Sequence, residues 1–376
     1  MKDLQELRKD IDQLDRQMVE LFEQRMEVCR QVAEYKIQSA TKVLDRKREL
    51  EKLEAVGALA HNEFNRHGIR ELFQQVMAMS RKLQYQLLES YGARGRFPFV
   101  MVDQIEREHV RVVYQGEEGA YTQQAMLEYF GEHVSSFHVE QWRDAMVAIA
   151  EGMADYAVLP IENSTAGIVS DIYDLLVEFD NYIVAEKIIP IHHALLGLPG
   201  AQISDIQTVY SHPQGLMQCS RFLEEHRGWQ QVSMLNTAMA ARKVLEDQDK
   251  SQAAIASMAA AKAFGLKVLK EHVNHSDTNS TRFIVATNQK MYARDAGKVS
   301  ICFEVPHESG SLYNVLSHFI YNGLNMCRIE SRPIPDRNWE YHFFVDFDGN
   351  LNDSAVKNAL RGIQEEALNL KILGNY

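Results

Sequence analysis

The chain has 376 residues, 45% of them hydrophobic, and a formal net charge of −12 at pH 7. That length exceeds one ordinary core, so two or three domains are expected, and the acidic balance disfavours nucleic acid and anionic membranes as partners. Cys29, Cys219, Cys302 and Cys327 stand far apart without a C-x-x-C pair, which gives zinc ribbons and dithiol chemistry no support. The charged start MKDLQELRKD has no apolar signal core, and no apolar run reaches membrane-spanning length, so a reducing cytoplasm is the expected setting.

Charge is unevenly spread. Residues 1–100 carry 18 Lys and Arg against 16 Asp and Glu, leaving the remainder at −14. An anion site in the first segment must therefore be local, made by a few placed arginines. From Leu4 to about Gln38, Leu4, Leu7, Ile11, Leu14, Met18, Leu21, Val28 and Val32 recur mostly every three or four residues. That pattern predicts one helix about 50 Å long, followed by shorter helices near 44–58 and 62–88. The long helix cannot bury its own stripe, so its neighbours or a second chain must cover it.

A coiled-coil assembly segment would explain the stripe, but Arg25 interrupts it and Lys36 lies eleven residues on, about three full turns. Burying either cation without an anion is costly, and a bound dianion would resolve the cost. Arg25 would offer a planar fork to a carboxylate and Lys36 a movable point charge. Cations that are solvated, or paired with glutamates inside a bundle, remain the alternative at this point. Arg8 precedes Arg25 by seventeen residues, about 100° round the helix, so one of the two must come from another chain if both touch one ligand.

With Arg8, Arg25, Lys36, the run Asp45-Arg-Lys-Arg48-Glu49 and Ser80-x-x-x-Gln84, residues 4–88 resemble the all-helical class of chorismate mutase. The resemblance implies that Arg25, Arg48 and a partner subunit's Arg8 bind the substrate carboxylates. It implies that Lys36 and Gln84 hydrogen-bond the ether oxygen. Asp45 and Glu49 would meet the substrate hydroxyl or its surroundings, and Ser80 would lie beside a carboxylate. The conversion of chorismate to prephenate needs no nucleophile, only a held conformer and stabilised charge on the breaking ether bond.

YGARGRFPFV, residues 91–100, breaks the pattern and reads as part of a linker over 91–108. Strand and helix then alternate from VRVVYQG through IQTVYSHPQG to AAIASMAAAKAFGL, which predicts mainly parallel sheets in two lobes with a cleft between them. Gly116-Glu-Glu-Gly119-Ala-Tyr-Thr122 lacks the lysine of a phosphate loop, and His192, His193, His212, His272 and His275 lack metal-ligand spacing. No metal or cofactor is expected.

The stretches Pro160-Ile-Glu162-Asn163-Ser164-Thr165, Ser211-His212-Pro213-Gln214 with Gln218, and Asn279-Ser-Thr281-Arg282-Phe283 place polar groups near predicted strand ends. In this order they resemble a prephenate dehydratase domain over 109–288. The resemblance implies Thr281 as the main catalytic hydroxyl and Arg282 as substrate anchor or pocket wall. Glu162, Asn163, Ser211 and Gln218 would be supporting contacts, with Thr165 and His193 beside them. Which group serves as the acid stays open.

Residues 299–376 read as β-α-β-β-α-β, a ferredoxin-like order. Gly310-Ser311-Leu312 and Glu330-Ser331-Arg332-Pro333 resemble the signatures of an ACT domain, which implies a regulatory site for L-phenylalanine. The expected architecture is therefore an all-α mutase domain (1–90), a two-lobed α/β dehydratase domain (109–288) and an α+β ferredoxin-like module (299–376). The three resemblances together point to the bifunctional chorismate mutase/prephenate dehydratase family, with chorismate, prephenate and L-phenylalanine as ligands and a homodimer as the least assembly. The alternatives are a monofunctional dehydratase with a helical dimerisation segment and a non-catalytic two-lobed amino-acid sensor.

Overall fold

The first 90 residues form helices because apolar positions recur at helical spacing and the long run 4–39 contains neither glycine nor proline. A computed structural model describes residues 2–39, 41–90, 97–276 and 278–376. The helices are α1 (Leu4–Ser39), α2 (Arg46–Gly57) and α3 (Glu63–Ser90). The side chain of Asp45 caps α2 by accepting from the Arg48 amide at 3.0 Å. Helix α3 packs against both others. The stripe of α1 is left outside this packing: Leu14 is 59% exposed and Leu21 64%.

The chain divides into two compact units, residues 1–97 with 297–371 and residues 98–296 with 372–376. In the first unit, the C-terminal segment is the expected β-α-β-β-α-β. Its strands Lys298–Glu304, Met326–Pro333 and Tyr341–Asp348 are followed by Asn369–Asn375, of which residues 369–371 belong to this unit, and its helices are Ser311–Tyr321 and Ser354–Glu366. The sheet order puts Met326–Pro333 at an edge, then Tyr341–Asp348, Lys298–Glu304 and Asn369–Asn375. Phe303 and Phe347 of the strands and Phe319, Leu360 and Ile363 of the helices are essentially fully buried, each contributing about 2–3 kcal/mol of apolar burial. The helix Ser354–Glu366 also packs against α3. Near its end, Glu365 Oε2 accepts from the Tyr85 hydroxyl at 2.6 Å and the Leu44 amide at 3.0 Å.

The second unit has two lobes, each built on a five-stranded sheet. The first sheet runs Tyr182–Pro190, Ser280–Thr287, Tyr156–Asn163, Arg111–Gln115, Ser135–Val139; the second runs Lys267–Lys270, Ala194–Gly197, Gln252–Ala256, Thr208–Ser211, Gln230–Ser233. Both sheets are mixed, which corrects the expectation of mainly parallel ones. In each, the two pairings at one side are parallel and the two at the other antiparallel. The antiparallel strands are those beside the crossings between lobes, where the chain leaves one sheet and returns without a βαβ crossover. Those crossings lie between Tyr182–Pro190 and Ala194–Gly197 and between Lys267–Lys270 and Ser280–Thr287. The predicted helix 214–226 is two short ones, Pro213–Gln218 and Ser220–Glu224, broken at Cys219.

Gly119 joins the lobes. Its φ is +82°, and a Cβ there would lie 2.6 Å from the Cα of Ala260 in the other lobe, so only glycine permits the approach. The Ser257 hydroxyl donates to Gly119 O at 2.7 Å across the same contact. Among the described residues, no helix is long and apolar enough to cross a membrane.

Candidate active sites

In the first unit, α1, α2 and α3 enclose a cleft of about 240 Å³. Arg25 and Lys36 reach it from α1, Asp45, Arg48 and Glu49 from the start of α2, and Ser80 and Gln84 from α3. Seven of the eight residues singled out in this segment therefore share one cavity. Arg8 does not line it and is exposed on α1.

Arg25 Nη1 donates to the Ser80 hydroxyl and, at 3.5 Å, to Val76 O. Lys36 Nζ donates to Val43 O at 2.6 Å. Burial pulls the Lys36 pKa below its ordinary value, opposed by the charges of Asp45, Glu365 and Glu49. The ammonium is thus partly dehydrated, which strengthens its own attraction for an incoming anion, while the neighbouring carboxylates keep it charged. Gln84 Oε1 is buried and takes no hydrogen bond among the described residues. Arg48 stands at the rim, its side chain 71% exposed.

Arg81 was not foreseen. Its neighbours in sequence suggested only a helix face, yet its side chain is 8% exposed and ties Glu49 to Glu366. The second partner is 285 residues away, so no local signal could have exposed the link.

In the second unit, the polar stretches converge where the chain crosses between lobes. Asn163 Oδ1 accepts from the backbone amides of Thr165 and Ala166, each at 3.0 Å. That fixes the amide's orientation, so Asn163 Nδ2 is the end that donates to Thr281 Oγ1 at 2.9 Å and Asn279 Oδ1 at 2.9 Å. The Thr165 hydroxyl donates to Asn163 Oδ1 at 2.8 Å, and Gln218 Nε2 donates to Thr165 Oγ1 at 2.9 Å. Gln218 Oε1 lies 3.0 Å from His193 Nε2. Asn163, Thr165, His193, Gln218 and Thr281 therefore form one connected network.

Ser211 is buried and gives its proton to Ile255 O at 2.7 Å, outside this network. Arg282 is paired with Glu186 at 3.2 Å and with Glu162 at 3.4 Å, the acid partners its place before an apolar run demanded. Tyr121 was missed; its hydroxyl lies 3.2 Å from His193 Nδ1. Tyr121 lies in the string Gly116-Glu-Glu-Gly119-Ala-Tyr-Thr122, where no spacing marks it as a neighbour of His193. Among the described residues, no group of three or more His, Cys, Asp or Glu side chains is placed to hold a metal ion.

In the C-terminal segment, Gly310 has φ +83° and caps the helix Ser311–Tyr321, of which Ser311 and Leu312 are the first residues. Glu330, Ser331 and Arg332 lie on the edge strand, paired with Phe344, Phe343 and His342. Both stretches are in the same module, on the first helix start and the sheet edge.

The chain thus carries a helical cleft lined by cations and carboxylates and a polar network in a two-lobed α/β unit. The family model for chorismate mutase type II matches residues 7–85, and that for prephenate dehydratase matches residues 112–291. The chain is 32% identical to the bifunctional chorismate mutase/prephenate dehydratase of Aquifex aeolicus, covering 100% of this chain and 98% of that protein. It is 30% identical to a prephenate dehydratase from Arthrobacter aurescens solved in complex with L-Phe, covering 71% of this chain and 89% of that one, with a TM-score of 0.67. Over the same share it is 30% identical, with a TM-score of 0.63, to GqqA, described as a novel type of quorum quenching acylase, of which it covers 97%. The two-lobed fold thus appears with two different activities and does not by itself assign one; the full-length relatives do. The chain belongs to the bifunctional chorismate mutase/prephenate dehydratase family. It converts chorismate to prephenate and prephenate to phenylpyruvate.

Proposed function

We propose that the two reactions are divided between the two sites, with the mutase in residues 1–90, a linker over 91–108, the dehydratase in 109–288 and an ACT regulatory module in 299–376. The observation that carries this reading is the convergence of Arg25, Lys36, Asp45, Arg48, Glu49, Ser80 and Gln84 on one cleft. A helical segment used only for dimerisation has no need to bury cations around a cavity.

In the mutase, Arg25 and Arg48 bind the two carboxylates and hold the compact diaxial conformer. Arg8 of a second copy completes the grip, and the exposed stripe of α1 is the surface that brings that copy close. Lys36 and Gln84 bind the ether oxygen, where negative charge grows as the bond breaks. A cation placed there favours the transition state over the ground state, which raises turnover rather than affinity. Asp45 and Glu49 meet the hydroxyl side, and Ser80 keeps Arg25 aimed.

In the dehydratase, the ring carboxylate leaves as carbon dioxide, its bonding electrons move through the ring, and the hydroxyl departs with a proton as water. Asn163 donates to Thr281 Oγ1, so the Thr281 proton is the one left to point at the departing oxygen. Glu162, Asn163, Ser211 and Gln218 are supporting contacts, with Thr165 and His193 beside them. Arg282 is already matched by two carboxylates, which favours pocket wall over free substrate anchor.

L-phenylalanine binding to the C-terminal module supplies feedback. The left-handed Gly310 opens the helix-start amides for an α-carboxylate, and the edge strand with Glu330, Ser331 and Arg332 covers the rest. The L-Phe complex of the Arthrobacter aurescens dehydratase supports this ligand.

Replacing Thr281 tests the dehydratase assignment. Thr281→Val should lower kcat by about a hundredfold, with Thr281→Ser recovering most of it. Full activity in Thr281→Val would remove the hydroxyl from the mechanism.

A further inference from the structure

The connection between α1 and α2 holds a peptide group with a charge at each end. Lys36 Nζ donates to Val43 O at 2.6 Å, and the Leu44 amide donates to Glu365 Oε2 at 3.0 Å. Val43 O and Leu44 N–H belong to the same trans peptide unit and point in opposite directions. The carboxylate therefore fixes which way the peptide faces, and the peptide offers its carbonyl to the ammonium. An ammonium has three protons to give, and among the described residues Val43 O is the one acceptor that Lys36 Nζ meets. The others are left for a ligand in the cleft, which Lys36 and Val43 both line.

Glu365 comes from the helix Ser354–Glu366 of the C-terminal module, 321 residues along the chain from Leu44. Its carboxylate is itself held, because the Tyr85 hydroxyl donates to the same Oε2 at 2.6 Å. Tyr85 is 2% exposed, and burial together with the Glu365 charge pushes its pKa up, so the phenol keeps that proton. One residue on, Glu366 O accepts from Arg46 Nη2 at 3.0 Å. The module thus grips the chain on both sides of Asp45, which caps α2 and lines the cleft.

We propose that Glu365 is a positioning residue of the mutase: it holds the Val43–Leu44 peptide with its carbonyl toward Lys36 and so aims the ammonium at the breaking ether bond. The inference rests on the reading of Lys36 as the cation at that oxygen, and it adds a residue of the C-terminal module that does not line the cleft. Without the carboxylate, the Leu44 amide loses its acceptor, and the peptide is free to turn and take Val43 O away from Lys36. The charge of Glu365 works in the same direction. Burial lowers the Lys36 pKa, and Asp45, Glu365 and Glu49 oppose that fall. The other charged or titratable groups around the cleft, Arg25, Cys29, Arg48, Lys52 and Arg81, are unaltered by a change at Glu365.

Mutase kcat and KM measured against pH in the full-length chain test this, with dehydratase turnover followed in the same preparations. Glu365→Ala should lower mutase kcat about tenfold with KM changed less than about threefold. Glu365→Gln keeps an oxygen for Leu44 and Tyr85 but not the charge, so it should recover most of that loss at neutral pH. In both variants the alkaline limb of kcat should begin at lower pH than in the wild type, because the ammonium has lost a neighbouring negative charge. Dehydratase turnover should stay at the wild-type level. Wild-type mutase kcat in Glu365→Ala beside a crippled Lys36→Ala would overturn the proposal. Glu365→Gln, close in shape to the wild type, carries the test if Glu365→Ala does not fold, and an alkaline limb that does not move in it would overturn the proposal as well. If Lys36→Ala itself kept full turnover, the reading of Lys36 would fall and the proposal with it.

Discussion

Arg81 holds the carboxylate of Glu49 through one nitrogen, Nη1, placed 2.7 and 2.6 Å from its two oxygens. The other terminal nitrogen reaches Glu366 at 2.7 Å, so a cation with a side chain only 8% exposed is shared between the mutase cleft and the last helix of the C-terminal module. Removing it leaves two dehydrated carboxylates facing each other. Arg81→Met should destabilise the first unit by about 3–5 kcal/mol and release Glu49 into the cleft. Mutase kcat/KM should fall by at least tenfold while dehydratase activity is largely kept, as read from thermal melts and both assays. Equal losses in the two activities would mean that Arg81 serves stability alone.

Glu366 gives that contact a pH signature. Burial by itself would raise its pKa, but the His318 imidazole 3.1 Å away and the Arg81 charge outweigh it and bring the value to about 2 from 4.5. A carboxyl with a depressed folded-state pKa contributes stability above its unfolded value and loses it as the pH falls through the folded one. The contribution, on the order of 3 kcal/mol, should be present above pH 4.5 and disappear toward pH 2. Glu366→Gln should flatten this part of the stability profile in acid-unfolding measurements. An unchanged acid profile would show that the pair is not charged in the folded chain.

Lys36 should act on turnover. Lys36→Ala is expected to reduce mutase kcat by about a hundred- to a thousandfold, with KM within a few fold. The lowered pKa adds a second mark, because mutase activity that needs the ammonium should decline on the alkaline side below the ordinary lysine value of 10.5. A steady-state pH profile of kcat checks both, and a KM effect without a kcat effect would assign Lys36 to ground-state binding.

At Gly310, a negative side chain would oppose an α-carboxylate. Gly310→Asp should raise the L-phenylalanine concentration needed for half-inhibition of the dehydratase by at least tenfold. Gly310→Asn, of similar size but neutral and tolerant of positive φ, should raise it much less. Inhibition curves in the two variants separate charge from backbone strain. Equal curves would place the amino-acid site elsewhere.

The parts of this protein that sequence made legible are those governed by local periodicity or by a short string. The apolar repeat of α1 predicts the helix, and the spacing of Arg25 and Lys36 brings the two cations to one face of it, because 3.6-residue geometry aligns them. The β-α-β-β-α-β order after 298 is equally local. Strand direction in the middle region was not legible, since a strand such as Ser280–Thr287 reads alike whether it runs parallel or antiparallel to its neighbours. The Arg81–Glu366 link and the Tyr121–His193 contact, 72 residues apart, depend on tertiary packing and carry no spacing signal. Arg8 is a different case: its side chain lies outside the cleft of its own chain, so its role depends on a second copy.

The division of labour between two sites in one chain is tested most directly with Lys36→Ala and Thr281→Val, each supplied with chorismate and with prephenate. Thr281→Val should convert chorismate to prephenate and stop there, Lys36→Ala should convert only added prephenate to phenylpyruvate, and a mixture of the two should carry chorismate through to phenylpyruvate. Loss of both activities in either variant, or phenylpyruvate formed from chorismate by either one alone at the wild-type rate, would contradict the assignment.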